Sequence, residues 1–284
     1  MQFDLHVHSG PCAAPRLADD PTTVALCERA GMAGCVLKAH CEPTVGRAAG
    51  AGSGRAITVL GGVVLNHPVG GLNPAAVATA LELGGRVVWM PTVDARAHRR
   101  SGLANPPPCH RSGPAGRPLA VPHVDGDAEP AVQQICRLVA DADAVLATGH
   151  LGPDEVGWLV GAARRAGVRR VLLTHPFFSV PGLGPGQARE LAEQGAYAEL
   201  TAFQLLHQPG MTAARLADVV RAVGERRCVL SSDAGQPDSP PPPEALELLV
   251  EALGAQGLDR GALRAMASEI PADLVLADRV PGGR

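Results

Sequence analysis

The chain has 284 residues and a formal charge of −3, with 46% hydrophobic and 19% charged residues. This is the balance of a folded globular protein and excludes a disordered one. The near-neutral charge and scattered arginines exclude a nucleic-acid footprint, and no apolar run reaches the ~20 residues needed to span a bilayer. Neither nucleic acid nor membrane is therefore expected as a partner. The N-terminus lacks a basic-then-apolar leader pattern, so a cytoplasmic location is the expectation.

The seven cysteines are odd in number and show no CxxC spacing, which argues against a disulfide framework or a zinc ribbon. Cys27, Cys35, Cys136 and Cys228 read as small buried apolar residues. Cys41 follows His40 at a strand end and is the one thiol placed near the expected chemistry.

In chain order, short apolar runs predict strands at 2–8, 34–39, 57–65, 86–91, 144–149, 170–174, 197–202 and 228–232. Amphipathic stretches at 21–31, 74–84, 129–141, 153–167, 185–195 and 211–224 predict helices between them. Several of these helices close on glycine, as at Gly31, Gly84 and Gly167, while Pro21, Pro74 and Pro153 suit first-turn positions. Near-continuous apolar strands alternating with helices predict a parallel sheet buried on both faces. Eight such units match an α/β fold of the (β/α)8 TIM-barrel type, for which ~250 residues is typical. An open doubly wound sheet would want a G-x-G-x-x-G turn after the first strand, and "HVHSGPCAAPR" is not one.

The expected organisation is one barrel domain over 1–284. Residues 95–128, rich in Pro, Gly and Arg, form a long loop after the fourth strand and read as a lid or substrate loop. Residues 44–56 and 236–243 read as shorter loops of the same character.

Polar residues gather at the strand ends. His6 and His8 finish the first strand, Lys38 and His40 the second, and His67 the third. His150 ends the fifth and His175 the sixth, Glu199 lies within the seventh, and Asp233 ends the eighth. Barrel strands converge at their C-terminal ends, the face that carries active sites. A period of two puts His6 and His8 on the same side of their strand. Imidazoles crowded in a buried mouth would leave nitrogens unsatisfied, and a divalent cation supplies what they lack. The number of donors points to two divalent ions, bridged by hydroxide and a carboxylate or modified lysine.

HxH on strand one, single histidines on strands five and six, Asp on strand eight and the closing "EIPADLVL" together resemble the amidohydrolase superfamily. The resemblance implies a first metal on His6, His8 and Asp233, a second on His150 and His175, and a carbamylated lysine between them. Strand four ends without a lysine. Lys38 on strand two is the only lysine in the chain, and Glu199 is a second candidate bridge. His40, His67 and Asp94 are additional ligands or supports for the ligands. Arg96, Arg99, Arg100, Arg111, Arg117, His98, His110 and His123 lie in the long loop, where they read as solvated surface or substrate contacts.

The segments "DLHVHSGP", "MPTVDARAH", "TGHLGPDE" and "THPFF" look closer to an amidohydrolase-like branch that includes a nonheme diiron monooxygenase of platensimycin and platencin biosynthesis. That likeness implies an antibiotic-biosynthesis oxidoreductase with two Fe(II) ions and O2 as co-substrate. It would hydroxylate an unactivated carbon of a diterpenoid carried as a CoA thioester. The superfamily at large implies instead a Zn(II)-dependent hydrolase or lactonase, with Asp233 as general base and acid and Lys38 in the catalytic set. A non-catalytic metal-binding barrel is the third reading. A small-molecule substrate is the expected partner, and a homo-oligomer is compatible with each reading.

Overall fold

The alternation of apolar runs and helices is realised as a set of parallel strands in a computed structural model that describes residues 1–103 and 116–276. β1 (Phe3–His8), β2 (Gly34–Lys38) and β3 (Thr58–Leu60) pair in that order. β4 (Gly62–Val64), β5 (Val87–Trp89), β6 (Val145–Ala147), β7 (Arg170–Leu173), β8 (Tyr197–Thr201) and β9 (Cys228–Ser231) form the remaining run. The chain beyond β9 returns to β1: Asp233 N–H donates to His6 O at 2.9 Å, and His8 N–H donates to Ala234 O at 2.8 Å. Because β3 and β4 are successive pieces of one segment, the strands encircle a (β/α)8 TIM barrel.

The third predicted strand, 57–65, is thus broken at Gly61, and Thr44 is the cause. Its N–H donates to Gly62 O at 2.9 Å, and its hydroxyl accepts Gly62 N–H at 3.0 Å, so it occupies both ladder groups of that residue. A Cβ on Gly61 would lie 2.6 Å from the Thr44 carbonyl, so only glycine lets the two backbones approach this closely.

Apolar side chains divide between two layers. Phe3, Leu5, Val36, Trp89, Leu172 and Val229 fill the barrel interior, where Leu274 and Val275 of the last helix, Glu269–Leu276, join them. A larger cluster, including Val7, Cys35, Leu37 and Val88, packs between the strands and the outer helices. In β5 the period of two is plain, with Trp89 inside and Val88 outside.

β1 departs from that period. Phe3 and Asp4 pair with Gly34 and Cys35, but Val7 and His8 pair with Leu37 and Lys38, so β1 spends one residue more than β2 over the same span. Such a bulge re-aims side chains beside a site. Asp4 satisfies the backbone around it: its carboxylate accepts His6 N–H at 3.0 Å and Ser232 N–H at 3.1 Å. Burial raises the Asp4 carboxyl to about 6, against those hydrogen bonds, which lower it.

The predicted helices appear at Asp20–Arg29, Pro74–Glu82, Glu129–Asp141, Pro153–Arg165, Pro185–Glu193 and Ala213–Val223. Prolines open several of them, and Asp19 and Asn73 cap two by accepting first-turn N–H groups. The expected loop at 44–56 is instead largely a helix, Val45–Gly52, because burial of Val45, Ala48 and Ala51 outweighs the poor propensity of its glycines. The long segment 95–128 contains a short helix, Arg96–Arg100, and a parallel bridge between Ala95 and Leu119. His110 and Arg111 lie outside the described residues. Among the described residues, no helix is long and apolar enough to cross a membrane.

Replacing Asp4 with alanine leaves two buried N–H groups without an acceptor, each costing about 1–3 kcal/mol. Urea unfolding of Asp4→Ala is expected to show a loss of roughly 2–5 kcal/mol; a change below about 0.5 kcal/mol would mean that Asp4 does not hold the β1–β9 closure.

Candidate metal centre

The strand ends carry the polar groups into one cavity of about 280 Å3, lined by His6, His8, Lys38, His40, His98, His150, His175 and Asp233, with Phe178 and Phe203 on its walls. Two of these residues sit in backbone conformations that side chains rarely adopt, His175 at φ 25° and Asp233 at φ 50°. Strain of this kind persists where the surroundings over-determine it. Gly149, at φ 60°, would place a Cβ 2.3 Å from Met90 O, so glycine is required where the chain turns to present His150.

His6, His8 and Asp233 form the tightest group. His6 Nε2 lies 3.0 Å and His8 Nε2 3.3 Å from the same Asp233 oxygen. One donor atom from each of the three falls within 4.8 Å of the others, all in buried residues. On the other side of its ring, His6 Nδ1 is 3.3 Å from both oxygens of Glu199. A carboxylate there holds a proton on Nδ1, so that loss of the other proton would turn the Nε2 lone pair toward the cavity, the arrangement metal-bound histidines use. His8 Nδ1 and His175 Nδ1 are buried without a hydrogen-bond partner among the described residues. Two imidazoles and a carboxylate, buried and converging, are a donor set that fits zinc, manganese or iron.

The electrostatics follow from burial. Desolvation alone would lower His6, but Asp233 and then Glu199 outweigh it and raise the ring to about 9. Burial drives His8, His40 and His150 well below the ordinary imidazole value and His175 to about 4. Burial also lowers Lys38 to about 8, and its ammonium nitrogen lies 2.9 Å from His6 Nε2. Asp233 runs the other way: burial would raise it, but His6 and His8 hold it well below the usual carboxylate range.

The structure places the remaining candidates as follows. Glu199 faces His6 Nδ1 and accepts His175 N–H at 3.3 Å, so its carboxylate holds the His6 ring and the backbone of His175. His40 lies in the cavity with its ring centroid 5.0 Å from that of His8. Its Nδ1 is 2.9 Å from Thr92 Oγ1, which also accepts a hydrogen bond from Asn66. His67 turns away, with Nε2 2.8 Å from Arg117 O. Asp94 accepts His67 N–H at 2.8 Å and pairs with Arg99, so it ties the turn after β4 to the loop helix. His123 is exposed, 3.7 Å from Asp154, and Arg100 is exposed on its short helix. Arg96, half-buried on the same helix, takes Leu119 O through its backbone N–H.

Cys41, expected as a free thiol, is disulfide-bonded. The odd count and the missing CxxC pattern do not bar a single bridge. His98, expected in the long loop as solvated surface or a substrate contact, lines the cavity from the helix Arg96–Arg100, and sequence reasoning passed over the aromatic pair Phe178 and Phe203. The offset of His98 from its strand left its place open between surface and cavity, because only strand-end residues are expected to converge.

The strands and helices form a (β/α)8 barrel whose mouth gathers buried histidines and carboxylates. The chain belongs to a family of unknown function, DUF6282, whose model matches residues 2–199. No protein of curated function matches the sequence significantly. Among solved structures, it is similar to a mutant organophosphorus hydrolase (TM-score 0.63, 14% identity, 96% of this chain and 92% of that one). It is also similar to N-acetyl-D-glucosamine-6-phosphate deacetylase from Mycobacterium smegmatis (TM-score 0.59, 18% identity, 96% and 75%). A third is dihydroxybenzoic acid decarboxylase from Polaromonas sp. JS666, solved with manganese and 2-nitroresorcinol (TM-score 0.58, 12% identity, 98% and 98%).

Removing a carboxylate that orients a ligand histidine typically weakens metal binding ~10–100-fold. Glu199→Gln is therefore expected to lower zinc affinity by roughly that factor in a chelator competition while keeping the metal count. Loss of a whole ion from the count would instead make Glu199 a ligand.

Proposed function

We propose that this protein is a metal-dependent hydrolase of the amidohydrolase type, acting on a small ester, lactone, amide or phosphoester. The observation that carries this reading is the convergence of His6 and His8 on one oxygen of the buried Asp233. When bound there, a divalent ion would acidify a water molecule and polarise the scissile group. His6 and His8 would hold the ion, with Glu199 fixing the tautomer of His6. Asp233 would take the proton from the attacking water and return it to the leaving group.

His150 and His175 would serve a second ion, and Lys38, 2.9 Å from His6 Nε2, is the group that a carbamate would turn into a bridge. Phe178 and Phe203, with ring centroids 5.9 Å apart, give the cavity an apolar wall. A substrate with an apolar or aromatic body beside its scissile group suits that wall and a cavity of about 280 Å3. The likeness to a deacetylase and an organophosphorus hydrolase supports hydrolysis more than oxygenation.

The iron monooxygenase acting on a CoA-linked diterpenoid, expected from the branch resemblance, is set aside. The basic loop that would bind a phosphate-bearing carrier spends Arg99 on Asp94 and on Gly116 O. None of the three similar structures is an oxygenase by name.

The test is an anaerobic panel of carboxyl esters, lactones, N-acetylated amines and phosphotriesters, with protein reconstituted in zinc or manganese. Hydrolysis of at least one class without O2 is expected, and Asp233→Asn should reduce it about 10²–10⁴-fold, the range for a general acid–base group. Oxygen consumption by the iron-loaded protein, with no anaerobic hydrolysis, would overturn the reading. Metal uptake with no turnover of any kind would favour a non-catalytic barrel.

A further inference from the structure

We propose that Arg16 binds a carboxylate at the edge of the metal centre, so that the substrate of this protein is a small organic acid with an apolar body. This inference rests on the metal-dependent reading above and deepens it by naming the substrate class.

Arg16 stands in the loop between β1 and the first helix, Asp20–Arg29, and that loop is closed on itself. Gly10 N–H donates to Ala18 O and Asp20 N–H to Gly10 O, both at 2.8 Å. Next to Arg16, Leu17 N–H donates at 2.8 Å to Gly235 O, two residues beyond Asp233. Gly235 in turn packs on β1, where a Cβ on it would lie 1.8 Å from His8 O. The backbone that carries Arg16 is therefore fixed beside the seam at which His8 and Asp233 meet. The acids of the loop are already engaged. Asp19 accepts Thr22 N–H at 2.9 Å, and Asp20 accepts the Ser9 hydroxyl and pairs with Arg47, which also takes Glu42. Among the described residues Arg16 forms no ion pair, and its Nε is buried without an acceptor. A buried donor left in this state is costly, the more so on a guanidinium that is always charged.

The charge of Arg16 is felt inside the cavity. After burial it is the largest influence lowering His8, and it acts in the same direction on His40 and Lys38 behind burial and nearer groups. The two carboxylates of the centre do not offset it, because Asp233 is spent on His6 and His8 and Glu199 on His6 and His175. Arg16 is half-buried and lines a concavity of about 560 Å3 within its loop, so the guanidinium is open to a ligand. Beside His175 the character reverses: Phe178 meets that ring edge-on at 5.5 Å, and Phe203 lies 5.9 Å from Phe178. A ligand spanning the centre thus meets a positive group on the His8 side and an aromatic wall on the His175 side. A guanidinium fork matches the two coplanar oxygens of a carboxylate with paired N–H donors. Lys38, 2.9 Å from His6 Nε2, is committed to the ligand cluster, which leaves one guanidinium for one negative charge.

The experiment measures, by calorimetry on the full zinc-treated chain, binding of phenylacetate, its neutral isostere phenylacetone, and benzylphosphonate. Wild type is expected to prefer phenylacetate over phenylacetone at least ~10-fold, the range for hydrogen bonds to a charged group. Arg16→Gln, checked for native folding by circular dichroism, should lose most of that preference while binding phenylacetone as before. Arg16→Lys, which keeps the charge without the fork, should retain a preference between the two. An undiminished preference in Arg16→Gln would overturn the proposal, because the metal and not the guanidinium would then hold the acid. Benzylphosphonate binding that depends on Arg16 more steeply than phenylacetate binding would overturn the assignment of a carboxylate. Zinc analysis of the same samples separates the two readings. A chain without zinc that keeps an Arg16-dependent preference removes the metal reading and supports this one. A zinc-loaded chain with no such dependence overturns this one and leaves the hydrolase intact.

Discussion

The site depends on how the barrel closes between β1 and the chain after β9. Asp4 stands at that seam, accepting N–H groups from His6 on one side and Ser232 on the other. A buried carboxylate is costly unless it is well hydrogen-bonded, and here its oxygens take up donors that a bulged strand would otherwise leave unpaired. With the seam shut, His6 and His8 from the start of the chain meet Asp233 from near its end, at 3.0 and 3.3 Å. The first and last strands thus assemble the donor group that defines the centre, and the ends of β2, β6 and β7 bring Lys38, His40, His150 and His175 to the same cavity.

Around that group the balance of charge is set by desolvation. One lysine and several histidines crowd a mouth with two carboxylates, Asp233 and Glu199, and burial opposes protonation of every base there. His6 alone is raised, because it lies between both acids. Neutral imidazoles are the form that binds metals, and burial keeps His8, His40, His150 and His175 in that form. Asn66 gives the upper rim a comparable rigidity. Its side chain donates to His40 O and to Thr92 Oγ1 and accepts Thr92 N–H, tying the ends of β2 and β5 to the turn after β4.

Much of this was legible in the sequence because the signals were local. The apolar runs of β1 and β9 and the proline-opened helices follow from periodicity and capping, and the strand-end positions of His6, His8, His150, His175 and Asp233 follow from the barrel. What escaped depended on contacts between distant segments. Thr44 breaks the third strand from 18 residues away along the chain. The glycine-rich helix Val45–Gly52 forms because its alanines are buried, which composition alone cannot show. Glu199 and Asp94 were recognisable as acids near the mouth, but which face of which histidine each would meet is a matter of side-chain direction. His98 was left between surface and cavity by its place on a loop helix, whose position comes from the Arg99–Asp94 pair.

The extra residue in β1 has one more consequence. Leu5 belongs to the barrel interior and Val7 to the outer layer, while His6 between them lines the cavity. The bulge therefore works as a phase marker: below it the strand speaks to the hydrophobic floor, above it to the polar mouth. Side-chain facing in a strand alternates strictly, so a one-residue slip exchanges its two faces. Deleting a single residue between Asp4 and His6 would then affect both halves at once, moving an imidazole out of the mouth and an apolar group into it. The reading frame of this strand, and not only its composition, is what places the imidazoles at the mouth.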